Sequence, residues 1–269
     1  LIGKNIDRFC ICFIHLLSSK VKITKEVLHL FLRKVQLLED RIENKENYPF
    51  TIPTIRNFGE LTFDTPITFF VGENGTGKST LLEAIADNIG FNVAGGGRQN
   101  YKAYEVEKSE AALGDFIRLS WMPKVTEGFF LRAETFYSFA SHIDKMGYQH
   151  YGGKSLHEQS HGESFFAMFK NRIRANAIYL LDEPEAALSP SRQLAFLRIL
   201  HDVTKEQNAQ FIIATHSPIL LGFPGAKIYS FDEGLIEEVQ YEHTNHYQIT
   251  SYFLKNRARM LDELFKEEE

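Results

Sequence analysis

The stretch Gly72-Glu73-Asn74-Gly75-Thr76-Gly77-Lys78-Ser79-Thr80 constrains this chain more than any other, because it fits the pattern G-x-x-x-x-G-K-[ST]. Glycines let such a loop turn with its N–H groups pointing inward at a β-phosphate. Lys78 is placed to reach the β- and γ-phosphates, and the Ser79 hydroxyl to ligate Mg²⁺. The pattern carries weight only between a strand and a helix, and both are legible. Ile67–Val71 is a β-branched and aromatic run typical of a buried strand. Ser79–Asn88 has helical apolar spacing at Leu81, Leu82, Ile85 and Ala86. The expectation is a nucleotide-binding α/β domain.

Bulk properties are compatible with that. The chain has 269 residues and 43% hydrophobic residues, enough to bury a full core as one large domain or two modest ones. A net charge of −5 argues against a protein-wide basic surface for nucleic acid. Cys10 and Cys12 have no second pair with which to build a disulfide framework or a four-ligand zinc site, so reduced thiols and a cytoplasmic setting are expected. No apolar run approaches the ~20 residues that span a bilayer. Residues 1–28 read as an N-terminal extension outside the core, only faintly imitating a signal peptide. His142, His150, His157 and His161 lack a metal-ligand spacing and read as a polar loop. The phenylalanines read as core, with Phe129, Phe130 and Phe136 as candidates for an interface.

Strands are predicted at Leu30–Leu37, Leu61–Phe63, Ile67–Val71, Tyr101–Val106, Phe116–Trp121, Phe129–Leu131, Ala177–Leu181 and Gln210–Ala214, with a late hairpin from Lys227–Phe231 and Leu235–Val239. Helices are predicted after the glycine-rich loop, at Thr135–Met146, Glu163–Ala175, Ser191–Lys205 and Tyr247–Phe265. Alternating strands and helices imply a mostly parallel sheet covered on both faces, accompanied by a small antiparallel β subdomain. The expected division is a nucleotide-binding domain over 29–243, with a helical region at about 135–176, and a C-terminal helix with an acidic tail over 244–269.

Ala177–Leu181 is an apolar strand that runs into Asp182-Glu183-Pro184. Asp182 would hold the metal of a bound nucleotide, usually through water, and Glu183 would polarise the attacking water as general base. With the glycine-rich loop, two further segments complete an ordered set of four: Ser160-His161-Gly162-Glu163-Ser164 and Thr215-His216-Ser217-Pro218. In this order the motifs resemble those of the ABC-type ATPases, within the soluble branch that includes RecF and SMC proteins. The likeness covers about Leu30 to Val239.

That resemblance implies ATP and Mg²⁺ as ligands, and an ATP-dependent homodimer whose heads close face to face. Ser160, Gly162 and Glu163 would form the signature loop that one subunit presents to the γ-phosphate on the other. His216 would contact that phosphate as the switch histidine. Ala187-Leu188-Ser189 would be the loop through which paired heads touch. Ile55-Arg56-Asn57-Phe58 resembles the segment that opens RecF and SMC heads, which would lay Arg56 against the nucleotide's base or phosphates; the alternative is an exposed arginine on a strand turn. The signature departs from the transporter pattern at His161 and Glu163. A glutamine-bearing loop is not clear, and Arg132 or Glu134 stands in its place, Gln99 being too near the glycine-rich loop's helix.

Three readings follow: an ATP-hydrolysing switch, the nucleotide-binding subunit of a transporter, or a module that ATP stabilises with incidental turnover. The first is expected. About 80 residues separate the glycine-rich loop from the signature, too few for long coiled-coil arms, and about 50 follow His216, too few for a nuclease domain. A separate effector protein would then carry the output.

Overall fold

In the computed structural model, residues 30–93, 95–97, 113–132, 169 and 172–266 are described. The predicted strand Tyr101–Val106, the helices at Thr135–Met146 and over most of Glu163–Ala175, the histidine-rich loop, residues 1–28 and Phe136 lie outside them. The elements in chain order are β1 (Leu32–Leu37), α1 (Pro53–Asn57), β2 (Glu60–Thr62), β3 (Ile67–Val71), α2 (Lys78–Ile89), β4 (Ile117–Trp121), β5 (Gly128–Arg132), β6 (Ile178–Asp182), α3 (Pro190–Glu206), β7 (Gln210–Ala214), α4 (Pro218–Leu221), β8 (Lys227–Ser230), β9 (Glu237–Glu238) and α5 (Asn245–Leu264).

β3, β6 and β7 are buried at every position, which is why they read as unbroken apolar runs rather than alternating ones. They form the centre of a six-stranded sheet ordered β5-β6-β7-β3-β8-β9, parallel except for β9. The strand period of two divides their side chains between two cores. Phe69, Val71, Leu181 and Ile213 face one side, where Phe196, Leu200 and Val203 of α3 cover them. Phe70, Leu180, Ile212 and Ala214 face the other, against Leu81, Leu82, Ile85 and Ile89 of α2.

A three-stranded antiparallel sheet, ordered β2-β1-β4, packs into the second core through Val35, Leu37, Leu61 and Ile117. It is the small β subdomain that the sequence implied. Phe129 and Phe130 point to opposite faces of β5 and are each buried in one of the two cores. Their expected interface role is therefore corrected: both are packing residues. Among the described residues no helix is long and apolar enough to cross a membrane.

Candidate nucleotide-binding site

Because β3, β6 and β7 run parallel, their C-terminal ends lie along one edge of the sheet. Open α/β sheets bind ligands at that edge. β3 delivers the glycine-rich loop, β6 delivers Asp182 and Glu183, and β7 delivers Thr215 and His216. The register pairs Asp182 with Ala214 on one side and with Arg132 on the other, so residues far apart in sequence become neighbours.

The loop needs its glycines for two reasons. Gly72, Gly75 and Gly77 have φ values of 145°, 79° and 95°, which side chains other than glycine's rarely adopt. A Cβ on Gly77 would also lie 2.8 Å from Ile55 Cγ1. That contact comes from α1, whose Thr54 hydroxyl also donates to the Thr76 carbonyl, so α1 braces the loop from behind. Thr76 Oγ1 donates to Glu73 O at 2.8 Å, and Asp232 Oδ1, in the turn after β8, accepts from Glu73 N at 3.0 Å. The loop runs directly into α2, whose first N–H groups lack intrahelical carbonyl partners and face the loop's hollow.

Lys78 is 5% exposed, and its Nζ donates to Gly72 O and Glu73 O, both at 2.7 Å. Burial lowers its pKa, against the opposing charges of Glu183, Asp182, Asp232 and Glu73. A cation held, among the described residues, by two carbonyls is suited to an incoming polyanion. Ser79 Oγ donates to Asp182 Oδ1 at 3.0 Å. Burial pushes the Asp182 carboxyl up to about 6, partly offset by Arg132 and the Ser79 hydroxyl. A hydroxyl and a buried carboxylate, both hard oxygen donors, fit a divalent cation such as Mg²⁺.

Glu183 lies one residue beyond β6 in a left-handed conformation, φ 51° and ψ 51°, with its N–H donating to Ala214 O at 2.9 Å. This turn brings Glu183 Oε1 within 3.4 Å of His216 Nε2. The His216 backbone N–H donates to Glu185 Oε1 at 2.6 Å, and His216 Nδ1 lies 2.9 Å from His246 Nε2. Burial raises the pKa of Glu185, against the His216 N–H that favours its charge. Gln193 of α3 ties the next layer together: its Nε2 donates to Leu188 O at 3.1 Å and its Oε1 accepts from the Ser217 hydroxyl at 2.5 Å. The loop after Glu183 and the loop of His216 are thus one hydrogen-bonded unit.

Comparison with known proteins bears on the same segments. Residues 160–221 match the family described as AAA ATPase domain, and residues 41–126 match one described as AAA domain. The chain is 26% identical over 175 residues to "Tungstate uptake system ATP-binding protein TupC" of Peptoclostridium acidaminophilum, covering 61% of this chain and 81% of that protein. The chain is a P-loop ATPase whose matched segments are AAA-type ATPase domains. "Protein ea59" of Escherichia phage lambda is 49% identical to the ATPase over 49 residues, which are 18% of this chain and 9% of the phage protein. The ATPase therefore spans only a small part of that relative's length. Among solved structures, "SMC head domain from Thermotoga maritima" aligns with a TM-score of 0.43 and 16% identity, covering 78% of this chain and 98% of that one.

Within this ATPase the structure brings together Gly72–Thr80, Asp182, Glu183 and His216. Thr80 Oγ1 lies 3.4 Å from Tyr48 OH. Arg56 follows Ile55 on α1, where Pro53 occupies the first helical turn, and is half-buried beside the bracing residues, so it is not an exposed arginine on a strand turn. Arg132 closes β5, and its guanidinium meets both Glu83 and Asp182, the latter at 3.6 Å from Nε. Ser160, Gly162, Glu163 and Glu134 lie outside the described residues. Sequence reasoning missed Glu185, Gln193, Asp232 and His246. Only Glu185 left a signal, as the third acid in Asp182-Glu183-Pro184-Glu185.

Proposed function

We propose that this ATPase hydrolyses ATP at the edge formed by β3, β6 and β7, and that two copies close on ATP to complete each other's sites. The observation that carries the reading is the convergence of Lys78, the Ser79–Asp182 pair and the Glu183–His216 pair from three parallel strands. The loop N–H groups and Lys78 bind and orient the phosphates. Ser79 and Asp182 would hold Mg²⁺, which on binding offsets phosphate charge. Glu183 accepts the proton of the attacking water, and His216 holds the γ-phosphate end of the nucleotide. Arg56, next in sequence to the loop-bracing Ile55, would be a further nucleotide contact. Ser160, Gly162 and Glu163 supply the partner's contribution, and the resulting closure acts as a switch on a separate effector.

Phosphate release separates the roles. The wild type is expected to turn over ATP, Glu183→Gln to bind ATP with turnover reduced about 100-fold or more, and Lys78→Ala to lose binding. A Glu183→Gln protein as fast as the wild type would remove Glu183 as base.

A second reading, the nucleotide-binding subunit of an uptake system, draws support from the likeness to TupC. It predicts that the chain co-purifies with a membrane-embedded partner; the first predicts turnover without one.

A further inference from the structure

His246 belongs to no motif from which the site was assembled, and it lies in the C-terminal helix rather than in the sheet. Its Nε2 is nevertheless 2.9 Å from His216 Nδ1, with the ring centroids 5.0 Å apart. The remaining nitrogens of the pair, His216 Nε2 and His246 Nδ1, are buried and make no hydrogen bond among the described residues. His216 Nε2 has the Glu183 carboxylate 3.4 Å away, close enough for charge attraction but not in hydrogen-bonding geometry. Among the described residues it is a ring atom beside Glu183 without a hydrogen-bonded partner.

The placement of His246 is built independently of any nucleotide. Thr244, 3% exposed, caps α5 by accepting from Tyr247 N at 3.3 Å, and its hydroxyl donates to Tyr241 O at 2.8 Å. The Tyr241 hydroxyl donates in turn to Pro218 O at 2.9 Å, at the start of α4, two residues after His216. The root of α5 is therefore pinned to the loop that carries His216.

A neutral imidazole has one donor and one acceptor nitrogen. For His216 Nε2–H to donate to a phosphate oxygen, a neutral His216 must accept at Nδ1, and His246 Nε2–H is the donor that meets it. If His216 gains a proton, Nδ1 becomes a donor, and His246 can accept by carrying its own proton on Nδ1. A second imidazole serves both states, whereas an aliphatic side chain serves neither. Burial, and then the charge of His216, lowers the pKa of His246, which keeps that partner neutral.

We propose that His246 is a positioning residue that holds His216 in the orientation and tautomer in which its Nε2–H faces the γ-phosphate, making the root of α5 part of the hydrolytic machinery. This rests on the reading of His216 as the γ-phosphate contact.

The test is steady-state ATP turnover of the full chain for wild type, His246→Leu, His246→Gln, His216→Ala and the His216→Ala/His246→Leu double variant, with ATP affinity measured alongside. His246→Leu is expected to lower kcat about 10-fold, the scale of leaving one buried hydrogen-bonding group unpaired, with ATP affinity changed less than about twofold. Glutamine, which can also donate or accept, should restore most of kcat. The double variant should be no slower than His216→Ala alone. Wild-type kcat in His246→Leu, an equal loss in the glutamine variant, a loss of ATP affinity matching the loss of kcat, or multiplicative losses in the double variant would each overturn the inference. Wild-type turnover in His216→Ala would remove the underlying role of His216 and this inference with it, whereas the other adverse outcomes leave that role intact.

Discussion

Asp182 is 5% exposed and its carboxyl is pushed up to about 6, so the nucleotide-free protein holds an anion where burial disfavours one. A folded-state pKa above the unfolded value near 3.8 favours the fold fully below about pH 4, and that contribution is lost as pH rises through about 6. Above that range the ionised carboxylate costs the nucleotide-free fold about 3 kcal/mol. Asp182→Asn should therefore stabilise the nucleotide-free protein by an amount of that order at pH 8, with the gain shrinking towards pH 4, while abolishing turnover. Urea titrations at the two pH values check this; a destabilised variant at pH 8 would contradict it. The residues of this site were unevenly legible. Lys78, Ser79, Asp182 and Glu183 sit in short contiguous patterns, where local chain geometry creates the chemistry. His246 is separated from His216 by a helix, two strands and two turns, and only the return of the chain at Tyr241–Thr244 brings the rings together.

Elements were legible where burial left an unmistakable run. β3 and β7 fall on their expected residues because both their faces are covered, so every position is apolar except Thr68 and Gln210. Short elements were not. α1 and α4 span five and four residues, too few for a 3.6-residue period to register, and are defined instead by Pro53 and Pro218 in their first turns. The hairpin strand expected at Leu235–Val239 shrinks to Glu237–Glu238, because Glu233 turns left-handed in the preceding Asp232–Gly234 turn. The polar exception Gln210, 1% exposed, joins the two sheets. Its Oε1 accepts from Phe31 N and Leu32 N at 3.1 and 2.9 Å, and its Nε2 donates to Leu32 O at 2.9 Å, tying β7 to β1. Gln210→Leu strands three buried backbone groups and should cost about 3 kcal/mol or more, read as a lower urea midpoint at unchanged slope. A loss below about 1 kcal/mol would show that β1 is held by packing alone.

At the scale of the whole molecule, the proposed composite site would take its second half from another copy. Lys78, Ser79, Asp182, Glu183 and His216 gather on one edge of the sheet, and the four-motif resemblance assigns the opposing contribution to Ser160–Ser164 of a partner. Blocking hydrolysis while preserving binding should then trap the closed pair, because ATP that is not cleaved keeps bridging the two heads. The most direct measurement is the sedimentation mass of Glu183→Gln with and without saturating Mg²⁺–ATP. A shift from the 31.0 kDa monomer to twice that mass, absent in Glu183→Gln/Lys78→Ala, is the predicted result; a protein that binds ATP and stays monomeric would contradict the account.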